Sequence, residues 1–132
     1  MESFGGQDYM ELQIIEHGFS VCKIKDLKQV DFNEEFVFLL KALDEVTLVC
    51  KSELVPSNII ASESGWRALK VAGILEFGMI GVIAKISKIL SEAKISIFVA
   101  STYNTDYFFV KEENFEKAIQ MLKRNNYTVP DA

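Results

Sequence analysis

One histidine, His17, serves the whole chain of 132 residues. A hydroxyl or thiol nucleophile paired with an imidazole base needs a histidine beside it, and an imidazole metal centre needs several. His17 stands beside Gly18 between two apolar runs, where it reads as a solvated turn residue rather than an acid-base group. The chain has two cysteines, Cys22 and Cys50, each inside an apolar run and without the close spacing of a metal knuckle or a redox pair. They are expected to be reduced, buried thiols. Two prolines and no biased tract exclude a disordered or proline-rich chain. Basic clusters are missing as well: Lys123-Arg124 is an isolated pair, and 14 Lys and Arg stand against 19 Asp and Glu, for a net charge of -5. That balance repels polyanions, so neither nucleic acid nor an anionic membrane is an expected partner. The longest mostly apolar stretch, Met79 to Leu90, is interrupted by Lys85 and Lys88 and is too short to cross a bilayer. Met1 to Gly6 has neither the basic region nor the apolar core of a secretory signal, and a cytoplasmic location is expected.

What is present is the make-up of a folded chain, with 49% hydrophobic and 25% charged residues. The length suits one compact domain or two fused halves sharing a core. In the second half, Trp66 to Val71 reads as a strand. Ile80 to Ala93 then places Val82, Ile83, Ile86, Leu90 and Ala93 at helical spacing. Ile95 to Ala100 and Tyr107 to Val110 are strand-like runs around the turn formers Asn104-Thr105 and predict a hairpin. Glu112 and Glu113 open a second helix with the stripe Phe115, Ala118, Ile119 and Leu122, which Asn125-Asn126 ends. A short strand over Tyr127 to Val129 completes the order βαββαβ, an α+β ferredoxin-like sandwich with two helices over one face of an antiparallel sheet.

The first half has less helix signal. Glu11 to Glu16 and Phe19 to Lys25 read as strands joined at His17-Gly18, and Phe36 to Leu40 and Glu45 to Cys50 as a hairpin turning at Leu43-Asp44. A shift of 60 residues superimposes the halves without a gap, laying Ile14 on Ile74, Lys25 on Lys85, Phe38 on Phe98, Lys51 on Lys111 and Ile59 on Ile119. The expected organisation is a strand-rich half over residues 1–62 and a βαββαβ half over 63–132, joined by Ser57 to Gly65 and packed as one body.

No triad, metal cluster or cofactor loop stands out; Gly78 and Gly81 lack the third glycine of a dinucleotide fingerprint. No cofactor and no enzymatic activity are expected. Two segments instead suit a small zwitterion. The turn Glu76, Phe77, Gly78, Met79, Ile80, Gly81 leads into a helix, where backbone N–H groups and the helix dipole favour a carboxylate. The hairpin loop Ser101, Thr102, Tyr103, Asn104, Thr105, Asp106 gathers polar residues between apolar strands. Facing one another, the turn would hold a carboxylate while Asp106 and Glu76 accept from an ammonium, the complementarity that an α-amino acid requires.

The stretches Trp66-Arg-Ala-Leu-Lys-Val-Ala-Gly73, Leu75-Glu-Phe-Gly-Met-Ile-Gly-Val-Ile-Ala84 and Ile95-Ser-Ile-Phe-Val-Ala-Ser-Thr-Tyr-Asn-Thr-Asp-Tyr107 resemble the ACT-domain family. The resemblance is to its small tandem-ACT members, akin to the regulatory part of aspartate kinases and to cytosolic arginine sensors of eukaryotes. It implies tandem ACT-like halves and a free amino acid gripped at an interface by the segments matching Glu76 to Gly81 and Ser101 to Asp106. Sheets of this kind present edge strands that invite pairing, so a homodimer formed by sheet extension or helix packing is expected, with a regulated partner protein. The chain departs from the family in having Ile80, not proline, before Gly81.

Overall fold

The computed structural model describes residues 10–74 and 80–132. Its elements are β1 (Leu12–Ile24), β2 (Phe38–Lys41), β3 (Val46–Lys51), β4 (Ile59–Val71), α1 (Val82–Glu92), β5 (Ile97–Ser101), β6 (Asp106–Lys111) and α2 (Glu112–Arg124), with one 3-10 turn at Ser52–Leu54. The six strands follow the order β2-β3-β1-β4-β6-β5. Two compact units divide the chain, residues 10–16 with 67–132 and residues 17–66.

The first unit forms where apolar periodicity is strongest. Val82, Ile86, Ile89 and Leu90 make the buried stripe of α1, and Phe115, Ala118, Ile119 and Leu122 that of α2. Ile83, at the margin of the first stripe, is 38% exposed. Acidic Glu112 and Glu113 begin α2 and basic Lys123 and Arg124 end it, each matching the helix dipole. Both stripes close on Leu69, Val71, Phe108 and Val110 from the sheet, each such side chain contributing roughly 1.5–3 kcal/mol of burial. The β5–β6 hairpin runs in the register Ile97↔Val110 to Ser101↔Asp106, with the Phe98 and Phe109 rings stacked at 4.4 Å.

The final strand departs from expectation. Among the described residues, only an isolated parallel bridge, Glu11↔Thr128, forms there. Leu12 N–H donates to the Thr128 carbonyl at 2.8 Å and Thr128 N–H to Met10 at 3.0 Å, while Ala72 N–H donates to Glu11 at 2.9 Å. The start of β1 therefore lies between the chain end and the residues that follow β4, so the last segment pairs with the first half.

In the second unit, His17-Gly18 makes no turn. β1 is one strand of 13 residues, Gly18 is not among the glycines with positive φ, and hydrogen-bonded neighbours on both sides, β3 and β4, override the local turn signal. His17 sits half-exposed on that strand with its ring 5.9 Å from Phe36. Nor is Ser57 to Gly65 a plain joint, since β4 begins at Ile59. The 60-residue shift lays β3 on β6 but lays the end of β1 on the start of α1; β1 and β4, the two long strands, begin at Leu12 and Ile59.

Cys22, Ile24, Leu48 and Cys50 form this unit's core, with Val30, Val37, Leu39, Val46 and Val55 packed against it. Burial, and then the adjoining Cys22, push the Cys50 thiol up to about 12. The loop across this core is held by its own side chains: Asp26 accepts from Lys28 N–H at 3.0 Å, Asp31 from Asn33 N–H at 3.0 Å, and Gln29 Oε1 from Ser57 N–H and Oγ at 2.9 and 2.8 Å.

Candidate functional site

Of the residues that the sequence marks for ligand binding, Glu76, Phe77, Gly78 and Met79 lie outside the described residues. Ile80 and Gly81 are described. Ile80 is 82% exposed. Gly81 is the N-cap of α1 at φ 84°, ψ 6°, and its carbonyl accepts from Lys85 N–H at 2.9 Å. A Cβ there would meet nothing within 4 Å, so glycine is required by the left-handed backbone and not by space. Among the described residues no side chain caps α1, and no acidic residue stands in its first turn. The first N–H groups of a helix have no partner within it, and the positive end of the dipole there favours an anion. Gly81→Ala is expected to lower stability by about 1 kcal/mol through the left-handed conformation alone. Urea unfolding measures it, and an unchanged midpoint would show that the backbone relaxes at no cost.

The hairpin segment divides into two kinds of residue. Thr102 and Thr105 close the turn: Thr102 N–H donates to the Thr105 carbonyl at 2.8 Å, Thr102 Oγ1 donates to the same carbonyl at 3.1 Å, and Thr105 N–H donates to Thr102 Oγ1 at 3.2 Å. The buried Thr105 hydroxyl reaches out of the turn and donates to the carbonyl of Val71 at 2.9 Å. Val71 is the last residue of β4, so this bond ties the β5–β6 turn to the point where the chain leaves the sheet toward α1. Ser101 and Asp106 face each other as the last cross-strand pair, Asp106 half-exposed and Tyr103 and Asn104 exposed at the tip. Burial raises the Tyr107 hydroxyl above its ordinary range.

Sequence reasoning passed over two features. Thr105 read as one polar residue among six, although threonine three residues after threonine is a pattern that closes a turn on itself. Arg67 packs its guanidinium 4.5 Å from the centre of the Phe115 ring and reaches Glu112 at 3.5 Å, fixing the start of α2 over β4. Beyond these, a polar recess of about 330 Å³ opens between α1 and the end of α2, lined by Lys85, Lys88, Ile89, Glu92, Asn125 and Asn126. Among the described residues no group of three or more His, Cys, Asp or Glu side chains could hold a metal ion, and no helix is long and apolar enough to cross a membrane.

Residues 61–124 match the model of the ACT domain family. The human protein "Cytosolic arginine sensor for mTORC1 subunit 1" is 33% identical over 73 residues, 52% of this chain and 22% of that protein. The chain thus matches under a quarter of that relative's length. Among solved structures, an Agobacterium tumefaciens protein superposes with a TM-score of 0.81 at 23% identity, covering 92% of each chain. Aspartate kinase of Clostridium acetobutylicum superposes with a TM-score of 0.61 at 16% identity, over 88% of this chain and 34% of the kinase. At these identities the two structures speak for the fold alone. The family match begins inside β4 and ends on the last residue of α2, taking in both helices, the β5–β6 hairpin and the Thr105 tie; over that segment the chain is similar to the ACT domain family.

Proposed function

We propose that this chain is a non-catalytic regulatory module that senses a free amino acid held between the opening of α1 and the β5–β6 turn. The observation that carries the reading is the Thr105 bond to Val71, which anchors one candidate ligand segment to the strand from which the other departs. The carboxylate would take backbone N–H groups of the turn that leads into α1, and the ammonium would be received by Asp106, with Glu76 as a second acceptor. The ACT family match and the arginine-sensing relative support an amino acid as the ligand. A melting screen against the free amino acids tests the reading: a ligand at about a hundred times its Kd adds about 2.7 kcal/mol of stability. A protein whose melting no amino acid shifts would leave only a structural ACT module, engaging a partner protein without a ligand.

Assembly belongs to the same reading. β5 ends the strand order, and Ile97–Ser101 carries no charge on a half-buried apolar run. Such an edge invites pairing, and two-fold association is the common outcome. Light scattering at high micromolar concentration is expected to give twice the chain mass, and the mass of a single chain would contradict it.

A further inference from the structure

Cys22 and Cys50 are far apart in sequence and adjacent in the second unit. Strands β1 and β3 pair antiparallel with Ser20 opposite Cys50 and Cys22 opposite Leu48, which makes the cysteines diagonal neighbours on one face. Both cysteines are free, Cys22 adjoins Cys50 closely enough to help raise its thiol, and both residues are buried, at 1% and 3% exposure. Diagonal neighbours stand with Cβ atoms somewhat under about 7–8 Å apart, whereas a disulfide needs about 3.8 Å between them. Neighbours at that general spacing stand farther apart than a direct S–S bond takes and leave room for one bridging atom. A linear sulfur–metal–sulfur unit spans roughly twice a metal–thiolate bond of about 2.3 Å.

Cys50 is also reachable. A cleft of about 50 Å³ runs down to Cys50, with Val30, Val37, Leu48 and Leu54 as apolar walls and Gln29, Asp31 and Glu34 among its lining residues. That volume exceeds what a single water needs, and the two carboxylates favour entry of a cation. Cys22 Sγ contacts Ser62 Oγ at 3.8 Å, so a hydroxyl stands ready to turn and donate to a thiolate, as outer partners of metal-bound sulfur do.

We propose that Cys22 and Cys50 form a two-coordinate site for a soft monovalent cation, Cu(I), reached through this cleft at Cys50. Zn(II) wants four ligands, and the described residues offer no cluster of three or more. Cu(I) is selected by thiolates and is satisfied with two. Binding forms two S–Cu bonds and breaks two S–H bonds, the two protons passing to solvent with no change in oxidation state. The site lies in the unit of residues 17–66, apart from the proposed amino-acid segments, and neither proposal depends on the other.

The test is an anaerobic titration of the full-length reduced protein with Cu(I) supplied from a coloured chelator. One equivalent is expected to leave the chelator, with a sulfur-to-copper charge-transfer absorption appearing in the ultraviolet, and Zn(II) in its place is expected to give no binding. Cys22→Ser and Cys50→Ser should each lose that equivalent, as should Cys22→Ala and Cys50→Ala, which keep the position apolar if a serine variant does not fold. Circular dichroism reads the fold of each variant. Failure of the parent to take Cu(I), or uptake that persists in a folded variant lacking one cysteine, overturns the proposal. So does a Cys22–Cys50 disulfide formed in the native protein by a mild disulfide oxidant, read by mass and thiol count, because it would show that the two sulfurs close directly.

Discussion

Thr105→Val is expected to lower the unfolding free energy by about 1–3 kcal/mol, because valine keeps the shape and leaves the buried Val71 carbonyl without its donor. Thr105 is 4% exposed, so water cannot easily substitute for the lost hydroxyl. The same change should weaken amino-acid binding, since the β5–β6 turn would lose its anchor beside the end of β4. Thr105→Ser, which retains the hydroxyl, separates this effect from the loss of a methyl group and should recover most of the stability. Chemical unfolding of the three proteins measures it. A valine variant as stable as the parent would mean that the bond contributes nothing net and that the turn is positioned by backbone pairing alone.

Asp106→Ala has the opposite signature. Asp106 is half-exposed at the mouth of the hairpin, so its removal should change the melting of the unliganded protein little. If it receives the ligand ammonium, binding should fall by about 2 kcal/mol or more, the loss typical of a charge-assisted hydrogen bond. Calorimetric titration of parent and variant with the amino acid that stabilises the parent decides the matter. Equal affinities would remove Asp106 from the site. A variant that fails to fold would make it a structural carboxylate of the hairpin.

Elements specified by local periodicity were legible in the residues alone. The helix stripe through Val82, Ile86 and Leu90, though not its Ile83 and Ala93, the stripe from Phe115 to Leu122, and the hairpins turning near Leu43-Asp44 and Asn104-Thr105 all form, because each is written in side chains a few positions apart. Long-range pairing decided the rest. His17-Gly18 looks like a turn until β3 and β4 flank it, and Tyr127 to Val129 looks like the partner of its own half until residues 10–12 intervene. Thr105 shows the same limit within the candidate site, since its partner is a backbone carbonyl 34 residues away, and no residue pattern announces that. The recurrence at 60 residues was visible in the hairpins, but it misaligned the long strands, because α1 has no helical counterpart in residues 22–32.

The most direct test of amino-acid sensing is an amide-resolved NMR titration of the full chain with the amino acid that raises its melting temperature. The account predicts saturable shifts concentrated at Ile80 to Ile83 and Ser101 to Tyr107, with the Thr105 amide among the most affected. Shifts confined instead to the recess around Lys85, Lys88, Asn125 and Asn126, or no shift with any free amino acid, would contradict it.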